Sequence, residues 1–185
     1  AAKDDDTLPL QGMVDCLYAN YQRLSERFRI GLIGMDYAGT PQTNGIPDDR
    51  EGPGWSLKRG VITSGSLISL PAYRDVGIFR EEFFIDLVDY EYCLRARRKG
   101  YRIVQIERVG FVHRLGNPAV HRIVGFQFTS YNRAPERLYY QARNGAVLLR
   151  EYFAIDAGYC LRVCLGLIKT SASILVYEEN KTEKL

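Results

Sequence analysis

Residues 83–113 have the sequence FFIDLVDYEYCLRARRKGYRIVQIERVGFVH and decide the fold class of this chain. The pattern over residues 90–99 predicts a helix, which ends at Gly100 because glycine adopts the left-handed cap conformation most easily. The apolar runs 101–106 and 109–113 predict two strands directly after this helix. A helix followed at once by strands indicates an α/β fold.

The flanking sequence continues this alternation of helices and strands. Apolar residues at three- and four-residue steps predict a helix over residues 9–26, with Pro9 in its first turn. Residues 37–55 are rich in Gly, Pro, Asn and Asp and predict a long loop, which we expect to be mobile without a bound ligand. The other predicted elements are strands at 29–35, 61–63 and 66–70, a short helix at 71–77, and helices at 135–152 and 156–178.

The composition is that of an ordinary globular domain. Of the 185 residues, 46% are hydrophobic and 25% are charged, which is enough for one real core. Lys and Arg (25) nearly balance Asp and Glu (22), which argues against nucleic-acid binding dominated by phosphate contacts. The four cysteines are scattered without a CxxC pair, which is typical of reduced thiols in a cytosolic protein. Arg162 and Lys169 interrupt the apolar stretch 159–177, so we expect no transmembrane segment.

Three consecutive aspartates, Asp4, Asp5 and Asp6, are the first chemical signal. Two carboxylates one residue apart can hold Mg²⁺ or Mn²⁺, whose remaining positions bind diphosphate oxygens. A solvated acidic segment is the alternative interpretation of the same residues. A phosphotransfer site of the haloacid dehalogenase type also uses paired aspartates, but it requires Thr or Val where this chain has Leu8. The triplet alone leaves the metal site and the solvated segment open.

Three more carboxylates, Asp86, Asp89 and Glu91, lie within six positions of each other beside aromatic residues. In such a setting the pKa of a carboxylate can move towards values useful for general-base catalysis. Each residue also has a structural alternative. Asp89 is predicted at the N-cap of the helix that follows it, and Glu91 can form an ion pair with Arg95 one helical turn later.

A histidine and a glycine complete the set of candidates. His113 ends a predicted strand and is a candidate metal ligand, with a structural role as the alternative, whereas His121 has no comparable context. Gly65, between Ser64 and Ser66, allows the backbone to approach a ligand closely, and a plain tight turn is the alternative.

Taken together, these residues resemble the family 2 glycosyltransferases of the GT-A fold, and most closely the bacterial rhamnosyltransferases. The resemblance runs from about residue 4 to residue 152, and its most specific part is FIDLVDYEYCLRARRKGY. The segments that carry it are DDDT (4–7), ITSGSLIS (62–69), VGIFREEFFIDLVDYEYCLRARRKGY (76–101), VHRLGN (112–117) and RLYYQARN (137–144).

The resemblance implies a role for each candidate residue. Asp4 and Asp6 hold the metal on the donor diphosphate, and His113 lies near that metal. Asp89 is the base that deprotonates the acceptor hydroxyl, with Asp86 as the second choice, although family members often have Glu where this chain has Val88. The implied donor- or acceptor-binding residues are Ser64, Gly65, Ser66, Glu91, Arg95 and Arg143.

The resemblance also implies the organisation and the function of the chain. Residues 1–153 correspond to the metal and acceptor side of a partial, Rossmann-like GT-A domain with a mixed sheet, and residues 154–185 to a C-terminal helical extension. GT-A domains place their nucleotide-binding strands before the metal motif, so we expect such a part upstream of Asp4, and we expect the 185 residues alone to be a poor enzyme.

The implied activity is inverting transfer of L-rhamnose from a dTDP donor, dependent on Mg²⁺ or Mn²⁺, onto a glycan or lipid-linked acceptor in polysaccharide synthesis. Transfer of another sugar such as galactofuranose, or a catalytically silent interaction module, are the alternatives. We expect a cytoplasmic protein that contacts the inner face of the membrane peripherally and binds no nucleic acid.

Overall fold

The computed structural model describes residues 7–38, 54–113, 119–123, 126–130 and 134–177. The strands are β1 (Thr7–Pro9), β2 (Ile30–Ala38), β3 (Trp55–Lys58), β4 (Ser66–Ile68), β5 (Arg102–His113), β6 (Ala119–Ile123) and β7 (Phe126–Ser130). The α-helices are α1 (Met13–Ser25), α2 (Leu70–Val76), α3 (Val88–Arg98), α4 (Pro135–Tyr152) and α5 (Ala157–Tyr177), and a 3₁₀ turn spans Glu81–Phe83. The predicted α/β fold with C-terminal helices is confirmed.

Strand β5 is the centre of a five-stranded mixed sheet. It pairs in parallel with β2, and antiparallel with β1 and β3; β4 pairs antiparallel with the other edge of β2. The parallel pair needs a crossover, which runs through β3, β4, α2 and α3. The sheet is therefore mixed, as predicted.

The described residues fall into two compact units. The sheet unit contains the described residues within Ala1–Phe79 and Asp89–Arg114, and the helical unit contains those within Arg80–Val88 and Leu115–Leu185. The helical unit contains the antiparallel pair β6–β7, helix α4 and helix α5, which packs on α4 and on β7. The predicted boundary after residue 153 stays a prediction.

Helices cover both faces of the sheet in the sheet unit. Successive strand residues point to opposite faces, so Leu32 and Ile33 belong to different clusters. On one face, Ile33 packs with Leu17 and the rest of the buried stripe of α1. On the other face, Leu32 packs with Tyr92 of α3 and with α2. This three-layer arrangement buries the middle of α3, from Glu91 to Leu94, and leaves Asp89 in its first turn partly exposed.

Four predicted elements differ from the structure. Pro9 ends strand β1 instead of opening a helix, since Thr7–Pro9 pairs with the end of β5 and α1 begins only at Met13. Residues 61–63 form no strand. At the ends of the loop predicted over 37–55, residues 37–38 belong to β2 and Trp55 begins β3, and residues 39–53 lie outside the described residues. The two strands predicted over 101–113 are one strand, because a register irregularity at its pairing with Met35 and Asp36 absorbs the polar residues between the apolar runs.

Helix α5 is the longest helix among the described residues. By length and composition alone, the segment Ala157–Val176 of this helix could cross a membrane. Its most apolar part has a mean hydropathy of 1.5, and only 17% of that part is buried. A core helix that meets the same criterion is mostly buried.

Candidate functional site

Asp89 lies in the first turn of α3, not at its N-cap. The helix begins one residue earlier, at Val88, so the predicted cap position is wrong. The Asp89 carboxylate instead accepts a hydrogen bond from the backbone N–H of Thr63, with Oδ2 3.1 Å from the nitrogen. A negative charge near a helix N-terminus is also favoured by the helix dipole. Two separate segments of the sheet unit therefore orient this carboxylate.

The turn after Thr63 is tightly packed. The N–H of Ser66 donates to the carbonyl of Thr63 at 3.0 Å, and Gly65 has a left-handed φ of 68°. A Cβ atom on Gly65 would lie 2.4 Å from ring atoms of Phe111. Glycine is thus required by the close approach of an aromatic ring, and the donor-binding role of Gly65 stays a prediction.

Both serines of this turn are buried. The Ser66 hydroxyl donates to the carbonyl of Ile62 at 2.6 Å, which stabilises the turn from inside. Ser64 forms an isolated bridge directly before Gly65. The predicted SGS candidate residues therefore form one buried structural unit next to Thr63 and so to Asp89.

The Tyr90 phenol lies next to the Asp89 carboxylate, and its pKa is raised. Burial raises the pKa of the Tyr90 phenol, and the negative charge of Asp89 raises it further. The aromatic ring packs closely against Gly60, where an added Cβ would lie 2.7 Å from a ring carbon. Tyr90 is therefore a neutral, half-buried phenol next to the candidate base.

In the helical unit, Asp86 is held by a bidentate ion pair. The Arg137 guanidinium places Nε 2.9 Å from Oδ2 and Nη2 3.0 Å from Oδ1 of Asp86. The Asp86 side chain is 15% exposed. Both carboxylate oxygens accept from one guanidinium, which is a strong charge-assisted pair. This arrangement makes Asp86 the weaker candidate for a general base.

The backbone around Asp86 is strained. Phe84, Asp86 and Leu87 all have positive φ, at 54°, 62° and 62°. Residues other than glycine adopt this region at a cost of the order of 1 kcal/mol or more each, and such residues concentrate at functional sites. The turn directly precedes α3, and hence Asp89 by two residues.

Asn144 of α4 holds this strained turn together. Its side-chain amide nitrogen lies 2.9 Å from the carbonyl oxygens of Phe83, Ile85 and Asp86. The Asn144 side chain is fully buried. Arg143 donates to the Asn144 side-chain oxygen from Nε at 3.1 Å and from Nη2 at 2.9 Å. Neither Asn144 nor Arg137 was among the site residues predicted from the sequence, although both lie in the segment RLYYQARN. For Asn144 the available signal was a polar residue on the buried side of a helix.

Arg143 also contacts the strained turn. Its guanidinium donates to the carbonyl of Glu82 and lies 5.0 Å from the ring centre of Tyr140. These contacts, with those to Asn144, give Arg143 a structural role in the helical unit. Its predicted role in donor or acceptor binding stays a prediction.

Glu91 and Arg95 form the predicted ion pair one helical turn apart. Arg95 Nε lies 3.0 Å from Oε1 of the fully buried Glu91. The same guanidinium donates to the carbonyl of Val76, the last residue of α2, at 3.1 Å and to that of Ile78 at 2.8 Å. The pair thus ties α3 to α2, and the predicted binding role of both residues stays a prediction.

The candidate metal ligands lie at the edge of the described structure. Asp4 and Asp6 lie outside the described residues. His113 is the last residue of β5, and its backbone is the register partner of Thr7 in β1. Within the ranges that the structure describes, no group of three His, Cys, Asp or Glu side chains is arranged to hold a metal ion.

A groove of about 390 Å³ lies in another part of the sheet unit. It is lined by Tyr21, Arg29 and Tyr101, among others, where β2 begins. None of the candidate site residues lines this groove, so its size does not mark the site. The Thr63–Asp89 contact is the better marker, because it joins two segments that carry the sequence resemblance.

Comparison with known proteins gives one informative similarity. The chain is 34% identical over 123 residues to the dTDP-rhamnosyl transferase RfbF of Shigella flexneri. The matched residues make up 66% of this chain and 40% of the Shigella protein, so the chain corresponds to less than half of that relative. Neither a family model nor a solved structure matches the chain.

Proposed function

We propose that this chain is part of an inverting, metal-dependent family 2 glycosyltransferase of the GT-A type that transfers L-rhamnose from a dTDP donor. The observation that carries the proposal is the 34% identity over 123 residues to a dTDP-rhamnosyl transferase. That similarity supports a rhamnosyltransferase-like enzyme and a dTDP-sugar donor. The acceptor is a glycan or a lipid-linked glycan in cell-surface polysaccharide synthesis, made on the cytoplasmic side of the membrane.

Asp89 is the general base in this proposal. Its carboxylate takes the proton from the acceptor hydroxyl while the acceptor oxygen forms a bond to the anomeric carbon. The bond between that carbon and the diphosphate oxygen breaks on the opposite face, so the anomeric configuration inverts. A carboxylate has roughly four lone-pair positions, so the hydrogen bond from Thr63 orients Asp89 and is compatible with proton transfer.

The strained turn before α3 supports the choice of Asp89 over Asp86. Both oxygens of Asp86 accept from one guanidinium, that of Arg137, whereas Oδ2 of Asp89 accepts from the backbone N–H of Thr63. In this account the Asp86–Arg137 pair has a structural role within the helical unit. Asp89 then carries the chemistry.

Asp4, Asp6 and His113 would hold Mg²⁺ or Mn²⁺. The pairing of Thr7 with His113 fits this assignment, because the aspartate triplet directly precedes Thr7 in the sequence. Carboxylate oxygens are the ligands that both ions prefer, and an imidazole nitrogen suits Mn²⁺. The bound ion would supply charge neutralisation for the departing diphosphate.

A donor screen with the full-length gene product tests the proposal. We expect release of dTDP from dTDP-rhamnose in the presence of acceptor and Mn²⁺, and loss of this activity with EDTA. Activity with a UDP-linked galactofuranose donor instead would keep the transferase class and overturn the sugar. Absence of metal-dependent binding of any nucleotide sugar by the folded protein would favour a catalytically silent module.

A further inference from the structure

Helix α5 has two apolar faces. One faces the interior of the helical unit, where Tyr159, Cys160 and Ile174 are buried. Helix α4 approaches this face closely, since a Cβ on Gly145 would lie 2.7 Å from Leu167. These contacts hold α5 along the helical unit.

The other face of α5 is apolar and exposed. Leu161, Leu165, Ile168 and Leu175 are 52%, 66%, 65% and 56% exposed. Their spacing of four, three and seven residues places them in one row along the helix. A helix at the surface of a globular protein normally presents polar residues there, so this row needs a partner.

The charges on α5 identify the chemistry of that partner. The charged residues of Ala157–Tyr177 are Arg162 and Lys169, and the helix contains no Asp or Glu. Both cations are exposed. They lie three residues before and four residues after Leu165, so they border the apolar row on one side. An apolar row bordered by cations alone is complementary to an apolar layer covered by anionic groups.

We propose that the exposed face of α5 lies in the plane of an anionic lipid bilayer surface. The apolar row enters the boundary between headgroups and acyl chains, and Arg162 and Lys169 contact lipid phosphates. A spanning orientation would require α5 to leave α4, because the buried face packs inside the helical unit. Pairing of α5 with a second copy would bring cations together without any acidic partner on the helix.

The inference rests on α5 alone and does not depend on the proposed rhamnosyl transfer. It would place the helical unit against the surface where lipid-linked glycans are found. If the protein binds lipid but transfers no sugar, the membrane contact of α5 stands and the proposed function is wrong.

Co-sedimentation of the 185-residue chain with vesicles tests the proposal. We expect binding to vesicles of phosphatidylcholine and phosphatidylglycerol at 3:1 to be at least tenfold tighter than binding to phosphatidylcholine alone. Raising the salt concentration should weaken the binding to the anionic vesicles, because salt screens the charges. The double substitution Leu165→Glu with Ile168→Glu should abolish binding. Arg162→Glu with Lys169→Glu should remove the preference for anionic lipid.

A matched control comes from α1, where Val14 and Tyr18 are also exposed and four residues apart. Val14→Glu with Tyr18→Glu should leave vesicle binding unchanged. Equal binding by the α5 variants and the parent chain, or no binding to anionic vesicles, would overturn the proposal. A dimer in light scattering that the Leu165→Glu, Ile168→Glu variant dissociates would overturn it in favour of a second copy.

A separate experiment measures the orientation of α5 relative to the bilayer plane. Tryptophan is introduced at Leu161 or at Leu175, in a Trp55→Phe background, and quenched by lipids brominated at different acyl depths. An in-plane helix predicts the same shallow depth at both positions. A depth that differs between them by much of the bilayer thickness would indicate a spanning helix and contradict the inference.

Discussion

Replacing Asn144 by alanine is expected to release the strained turn before α3. The Asn144 amide has two N–H groups, which serve three carbonyl oxygens at 2.9 Å. Each net hydrogen bond is worth about 1 kcal/mol, so two contribute about 2 kcal/mol. Loss of the acceptor for Arg143, a charged donor, adds about 1 kcal/mol after allowance for partial exposure. We therefore expect the free energy of unfolding to fall by about 2–4 kcal/mol.

Urea denaturation measures this change, with hydrogen exchange at residues 84–88 as the local readout. A loss of 2 kcal/mol corresponds to roughly thirtyfold faster exchange through opening of the turn. Arg150→Ala on the same helix is the matched control, because its side chain is 79% exposed. That variant should change stability by less than about 0.5 kcal/mol.

Asn144→Asp separates hydrogen-bond donation from side-chain shape. Aspartate keeps the size and the acceptor for Arg143, but it cannot donate and directs a negative charge at three carbonyl oxygens. We expect it to be at least as destabilising as alanine. If the Asn144→Asp variant is as stable as the parent chain, then hydrogen-bond donation by the Asn144 amide does not hold the turn.

Three further predictions concern the sheet unit. Gly65→Ala should destabilise by about 3 kcal/mol or more in urea denaturation, because φ is left-handed and the new methyl group would lie 2.4 Å from the ring of Phe111; a loss below about 1 kcal/mol would count against the packing described. Tyr92→Phe should leave the melting temperature unchanged or raise it, since the buried Tyr92 hydroxyl has no hydrogen-bond partner among the described residues; a clear drop would reveal a partner. Burial raises the pKa of Cys93 to about 12, so at pH 8 the thiol stays protonated and a disulfide reagent should label it only after denaturation; labelling of native Cys93 as fast as Cys16 would contradict this.

The elements with local sequence signals were predicted well. Gly100 after α3, Pro135 at the start of α4, and Pro71 and Gly77 around α2 act on the backbone within a few residues of themselves. Their effect does not depend on the rest of the fold. The alternation of helices and strands, and hence the fold class, follows from such signals.

Contacts between distant segments could not be predicted in the same way. Strand β1 has only three residues, and its structure comes from pairing with β5, about a hundred positions later. The cap assigned to Asp89 was wrong because α3 begins at Val88, and the carboxylate binds Thr63, 26 residues away. Local spacing contains no information about such partners.

The same limit applies to the turn that contains Asp86. Arg137 lies 51 positions from Asp86 in the sequence, and Asn144 lies 58 to 61 positions from the carbonyls that it binds. The resemblance to glycosyltransferases pointed to both segments but not to these contacts. The structure shows that the two segments contact each other through the hydrogen bonds from Arg137 and Asn144 to the turn that contains Asp86.

The most direct test of the central claim is the turnover of Asp89→Asn in the full-length gene product, measured with dTDP-rhamnose. The asparagine oxygen can still accept from Thr63, so stability should change by less than about 1 kcal/mol and donor affinity should stay the same. Turnover should fall by roughly 10² to 10⁴, because the proton acceptor is gone. Asp86→Asn, the matched control, should lose stability through the pair with Arg137 but keep turnover per folded molecule within about tenfold. A folded Asp89→Asn protein with full turnover would contradict the account.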